Sequence, residues 1–120
     1  MIIKDFRTAP FFVAADGTLL SELLHPEREP LQLQCSVAYA RLEPGATSKP
    51  HRLSATELYF IVEGEGVMHL DGESEPVVAG QLIYIPPGSL QFISQRGDTP
   101  LGFLCIVDPA WRAEEEVIML

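Results

Sequence analysis

The stretch GATSKPHRLSATELYFIVEG, residues 45–64, decides how this chain is read. It opens on Gly45, directly after Glu43-Pro44, which together form a turn signal. It closes on Gly64, within a Glu63-Gly64-Glu65-Gly66 sequence that predicts a hairpin. Between these turns, residues 58–62 are all apolar and rich in aromatic and branched side chains, which predicts a strand. His51 and Leu53 stand two apart, so on extended backbone they point to one face. Glu57 shares their parity after a short bend, and Tyr59 and Ile61 continue the same face.

The same alternation of strands and turns runs outward in both directions. Downstream, residues 67–70 predict a strand, Asp71-Gly72 a turn, and residues 81–85 a strand ending at Pro86-Pro87-Gly88. Residues 90–94 and 101–107 follow, separated by Gly97-Asp98. Upstream, a long strand-like run covers residues 31–42. Before it lies a mixed arm, residues 1–30, with an apolar Pro10-Phe11-Phe12-Val13 patch, an Asp16-Gly17 turn and two closing prolines, Pro26 and Pro30. Five or six short strands at this spacing predict an all-β sandwich or barrel. One short helix is expected at the C-terminus, capped by Asp108 with Pro109 at its first position. The expected organisation is an arm over 1–30, a barrel over 31–108 and a helix or tail over 109–120.

Composition limits the function. The chain has 120 residues, 47% hydrophobic and 21% charged, enough for one domain with a buried core and too apolar for wholesale disorder. Its net charge of −9 repels phosphate backbones and anionic lipid, so neither nucleic acid nor a membrane surface is an expected partner. Residues 76–95 carry no charge, but Pro76, Pro86, Pro87, Gly80 and Gly88 exclude a spanning helix there. Asp5 and Arg7, so near the start, argue against a signal peptide, and a cytoplasmic protein is expected. Cys35 and Cys105 read as small buried thiols of a reducing compartment and stay outside the site.

Several strands are apolar on both parities: residues 58–62, 82–85 and 103–107. A sheet with one wet face would alternate, so these strands need cover on both sides. The arm of this chain or of a partner chain is the expected cover, and a homodimer follows.

Residues 45–64 and 80–95 resemble the two motifs of the cupin superfamily, G-x5-H-x-H-x3,4-E-x6-G and G-x5-P-x-G-x2-H-x3-N. Gly45, His51, Glu57 and Gly64 hold the first spacing, with Leu53 where the family has its second His. Gly80, Pro86, Gly88, Gln91 and Gln95 hold the second, with Gln91 in place of His and Gln95 in place of Asn. The resemblance implies a double-stranded β-helix, a jelly-roll barrel of the small single-domain kind. It also implies a divalent metal held by three His and one Glu, with no organic cofactor. The candidate metal ligands here are His51, Glu57 and Gln91. Leu53 offers no donor, and Gln91 offers only a neutral amide oxygen.

The candidate cavity lining is Leu53, Tyr59, Ile61, Ile93 and His69, the last only if the hairpin register places it on the face of Glu57. His25, before Pro26, is read as structural or solvent-facing. Such a pocket, mainly apolar with a few convergent polar groups, suits a small polar organic ligand. Two readings stand. One is a metal-dependent enzyme of dioxygenase, isomerase or epimerase type, with the ion as Lewis acid. The other is a non-catalytic binding or sensing module with a degenerate metal site, favoured by Leu53 and Gln91. Neither assigns a catalytic residue. Gly64-Glu65-Gly66 lacks the third glycine of a dinucleotide fingerprint, and no G-x-S-x-G elbow is present.

Overall fold

A computed structural model of the chain describes residues 1–119. Its strands are β1 (Phe12–Val13), β2 (Leu19–Leu24), β3 (Ser36–Leu42), β4 (His51–Leu53), β5 (Thr56–Glu63), β6 (Glu65–Leu70), β7 (Glu73–Val78), β8 (Leu82–Ile85), β9 (Gln91–Arg96), β10 (Leu101–Asp108) and β11 (Glu116–Ile118). They form two antiparallel sheets facing each other, in the orders β1-β2-β3-β10-β5-β8 and β11-β4-β9-β6-β7. This is the expected all-β jelly roll.

The core lies between the sheets, filled by alternate residues of each strand. On β5, Glu57, Tyr59 and Ile61 are buried while Phe60 and Val62 face out. On β9 the inward set is Gln91, Ile93 and Gln95. Ile61 and Ile93 are fully buried in one cluster with Met68, Leu101 and Phe103. Each such side chain contributes about 2–3 kcal/mol of burial free energy.

Gly64 does not close a hairpin. β5 and β6 belong to different sheets, and the chain crosses between them at this residue. Gly64 has φ +77, and a Cβ there would collide with the carbonyl oxygen of Pro100, so the crossing requires glycine. The true hairpin is Asp71-Gly72, where φ values of 47 and 86 give the two-residue left-handed turn between β6 and β7. β7 itself, Glu73-Ser74-Glu75-Pro76-Val77-Val78, does not read as a strand; its charges and proline suit the sheet edge it occupies.

Both ends depart from expectation. Of residues 31–42 only Ser36–Leu42 joins a ladder; the segment before it is tied to the tail by Ala110 N–H donating to the Gln34 carbonyl (2.8 Å). The arm enters the first sheet, with β2 pairing along β3. Its His25 is buried, with Nε2 donating to the Trp111 carbonyl (2.8 Å) and Nδ1 accepting from Glu27 N–H (3.1 Å), so it pins the arm to the tail.

The C-terminal helix is only a 3-10 turn, Ala113–Glu115, followed by β11. Three acids gathered toward its far end oppose a helix dipole. The three-residue β4 has an unpaired edge that Glu116–Ile118 satisfies, with Glu116 opposite Leu53 and Ile118 opposite His51.

Candidate functional site

A cavity of about 300 Å³ opens inside the barrel, walled by the arm, β2, β3, β5 and β10, and closed on one side by β4 and β11. Its walls are mainly apolar, with Phe12, Val37, Phe103 and Trp111 among them. His51, Glu57 and Tyr59 reach it from the expected positions.

His51 is 2% exposed. Its Nδ1 donates to the Lys49 carbonyl (2.8 Å), because a carbonyl can only accept, and the ring lines the cavity. Across the sheet, His51 is the register partner of Gln91. Gln91 is buried and its amide is used at both ends: Oε1 accepts from the Tyr59 hydroxyl (3.0 Å) and Nε2 donates to Glu57 Oε1 (3.1 Å).

The electrostatics of this chain of groups follow from burial. Burial pushes the Glu57 carboxyl up to about 8; the Gln91 hydrogen bond opposes the shift, while Asp16 and Glu116 add to it. Burial likewise lifts the Tyr59 hydroxyl and the Cys105 thiol well above their ordinary values, with Glu57 next in effect. Cys105 is therefore an inert thiol. Tyr59 packs on Phe103 with ring centroids 4.5 Å apart.

The remaining candidates lie elsewhere. Leu53 packs with Ala55, Val107 and Trp111 beside the cavity, and Ile61 and Ile93 belong to the core cluster below it. His69 is on the outer face of β6: it stacks on Phe92 at 4.1 Å and its Nδ1 pairs with the Ser74 hydroxyl (2.8 Å). The register that would bring it inward depended on a hairpin at Gly64, and the chain changes sheets there instead. Arg52 points outward and donates to the Gly88 carbonyl (2.8 Å). Gln95 ties the two motifs together. Its Oε1 accepts from Gly45 N–H (2.8 Å), and its Nε2 donates to the carbonyls of Arg96, Gly97 and Thr99.

Besides Glu22, which pairs with Arg28, two carboxyl groups of the cavity were not apparent in the sequence. Asp16, from the arm, and Glu116, from β11, both face the cavity. Burial raises Glu116 above its usual range, against the nearby His51 and the Trp111 indole N–H that bonds Oε2 (3.4 Å), with Asp16 adding to the rise. The acid run 114–116 resembles a solvated helix face, and only the branched Val117-Ile118 after it hints at a strand.

The donors do not fit a resident divalent ion. The Gln91 oxygen is engaged by Tyr59, its amide nitrogen is turned to Glu57, and Leu53 supplies nothing. Among the described residues, no three His, Cys, Asp or Glu side chains are arranged to hold one.

Residues 38–107 match the cupin domain family. An uncharacterized protein of Methanocaldococcus jannaschii is 36% identical over 109 residues, covering 90% of this chain and 86% of that one. An oxalate-binding protein of Thermotoga maritima is 34% identical over 71 residues, 58% of this chain and 59% of that one. Among solved structures, a predicted oxalate decarboxylase from Thermotoga maritima superposes with TM-score 0.78 at 25% identity, covering 91% of this chain and 99% of that one. A cupin 2 barrel protein from Salinispora arenicola superposes with TM-score 0.78 at 21% identity, covering 96% and 92%. A family match spanning most of the chain, on a barrel of the same fold, places this protein in the cupin family.

Proposed function

We propose that this cupin binds a small organic molecule in its barrel and does so with its own side chains, without a resident metal ion. The observation that carries the reading is the hydrogen-bonded series Tyr59–Gln91–Glu57, which engages the groups that a metal would need. Oxalate, named for two of the similar proteins, is a poor fit. Four carboxyl groups line the cavity, those of Asp16, Glu22, Glu57 and Glu116, and Arg28 is already paired with Glu22.

Elemental analysis of protein purified without chelator tests this reading. Metal far below one equivalent per chain is expected. A stoichiometric ion that is lost in a Glu57→Ala variant would replace it with the metal-dependent enzyme reading.

A homodimer belongs to the same proposal. On the outer face of the first sheet, Leu82 and Tyr84 are 61% and 60% exposed, and they lie opposite Phe60 and Leu58 respectively. A contiguous exposed apolar row of this kind fits a second copy of the chain. The cysteines Cys35 and Cys105 are unpaired, which supports a reducing, cytoplasmic setting.

A further inference from the structure

The cavity is roomy because β3 gives it small side chains, Ser36, Ala38 and Ala40, with Cys105 of β10 as the register partner of Ala38. Aromatic side chains frame the space from four separate segments: Phe12 of β1, Tyr59 of β5, Phe103 of β10 and Trp111 of the tail. The polar side chains of the lining already have partners within the protein. Asp16 accepts from Thr18, and Ser36 accepts from the Trp111 backbone N–H (2.9 Å). Glu116 accepts from the Trp111 indole, His51 donates to the Lys49 carbonyl, and Gln91 joins Tyr59 with Glu57. A charged ligand meets no prepared counter-charge here. Arg28 is the one Lys or Arg of the lining, and Glu22 engages it. The carboxyls come from the arm, β2, β5 and β11, and among the described residues no three His, Cys, Asp or Glu side chains are grouped to hold a cation.

We infer that the ligand of this cavity is an uncharged aromatic molecule of about two fused rings, held by apolar contact among Phe12, Tyr59, Phe103 and Trp111. The inference rests on the reading that the site works without a metal, since a resident ion would favour a ligand that carries donor oxygens. Size sets the ring count. An apolar cavity of about 150 Å³ takes up benzene, and this one measures about 300 Å³. Charge is excluded by hydration. An ion entering an apolar chamber gives up its water for no paired group, whereas an uncharged ring system gives up little and gains burial. Phe12 lines the cavity yet is 50% exposed, and an apolar occupant completes its burial. Tyr59 and Phe103 stand at 41° with centroids 4.5 Å apart, a tilted pair that a further ring can join by an edge or offset contact.

Calorimetric titration at neutral pH with three probes on one bicyclic frame tests the inference: 2-naphthol, 2-naphthoate and 2-naphthylmethylammonium. Naphthol is expected to bind, and each ion about tenfold more weakly. Ala38→Leu, which fills part of the cavity, is expected to weaken naphthol about tenfold in a folded protein. Ala14→Leu, on the cavity wall between β1 and β2, serves as a second filling variant should the first disturb the barrel. Leu82→Glu, on the outer face, is expected to leave naphthol unchanged, which separates the cavity from the exposed apolar row. Either ion binding as tightly as naphthol overturns the inference, as does naphthol affinity unchanged by both filling variants or lost in Leu82→Glu. No naphthol binding at millimolar concentration also overturns it. Metal content of the same preparation separately decides the metal-free reading.

Discussion

His51 and Gln91 face each other as register partners across β4 and β9, yet Gln91 turns its amide away to join Tyr59 with Glu57. One amide thereby satisfies two buried polar groups on the neighbouring sheet. Replacing it with Gln91→Leu leaves the Glu57 carboxyl and the Tyr59 hydroxyl without that partner in a dry interior. The expected loss is about 2–4 kcal/mol, read from the urea midpoint. A midpoint unchanged from wild type would show that the three groups are not joined.

Glu57 makes stability depend on pH. Burial raises its folded value to about 8, whereas the unfolded chain releases the proton near 4.5. Between those values the folded protein binds more protons than the unfolded one, so stability falls as pH rises through the window and levels off above 8. The full effect is about 5 kcal/mol at most. Glu57→Gln, which keeps an acceptor for Gln91, should flatten the profile and be the more stable form at the alkaline end. Parallel urea melts of the two proteins check this, and coincident profiles contradict it.

Leu53 and His51 are both buried on β4, two residues apart. Leu53→His therefore adds an imidazole on the His51 side, and Gln91→His in the same chain frees Glu57 from the amide. The double variant should gain affinity for Zn²⁺ or Mn²⁺ by at least tenfold over wild type, measured by competition with a chelator. A folded double variant with no gain would mean that these positions do not converge.

The exposed row Phe60, Leu82 and Tyr84 predicts association. Sedimentation at micromolar concentration should give twice the mass of the 13.3 kDa chain, and Leu82→Glu with Tyr84→Glu should shift it to one chain. A wild-type monomer ends this part of the proposal.

Much of the barrel was legible because turns and strand parity are local. Glycine and proline mark most strand ends, and parity along residues 57–61 identifies which side chains meet. Convergence of Glu57, Tyr59 and Gln91 follows from that parity once the barrel closes. Long-range choices were not legible. Gly64 reads as a hairpin, but what demands glycine there is Pro100, thirty-six positions away, pressing on the crossing between sheets. That single difference moves His69 from the cavity face to the outer face. Glu116 was hidden because acid-rich 114–116 reads as a helix surface. Its strand forms only because the short β4 leaves an edge to be filled.

On the proposed function, Tyr59, Gln91 and Glu57 hold the cupin pocket together and no metal enters it. Anomalous diffraction from crystals grown with millimolar Mn²⁺ or Zn²⁺ tests it most directly. No anomalous peak is expected beside His51 and Glu57, with Gln91 still bonded to both Tyr59 and Glu57. A strong peak within coordination distance of His51 Nε2 and Glu57, with Gln91 swung away from Glu57, would contradict it.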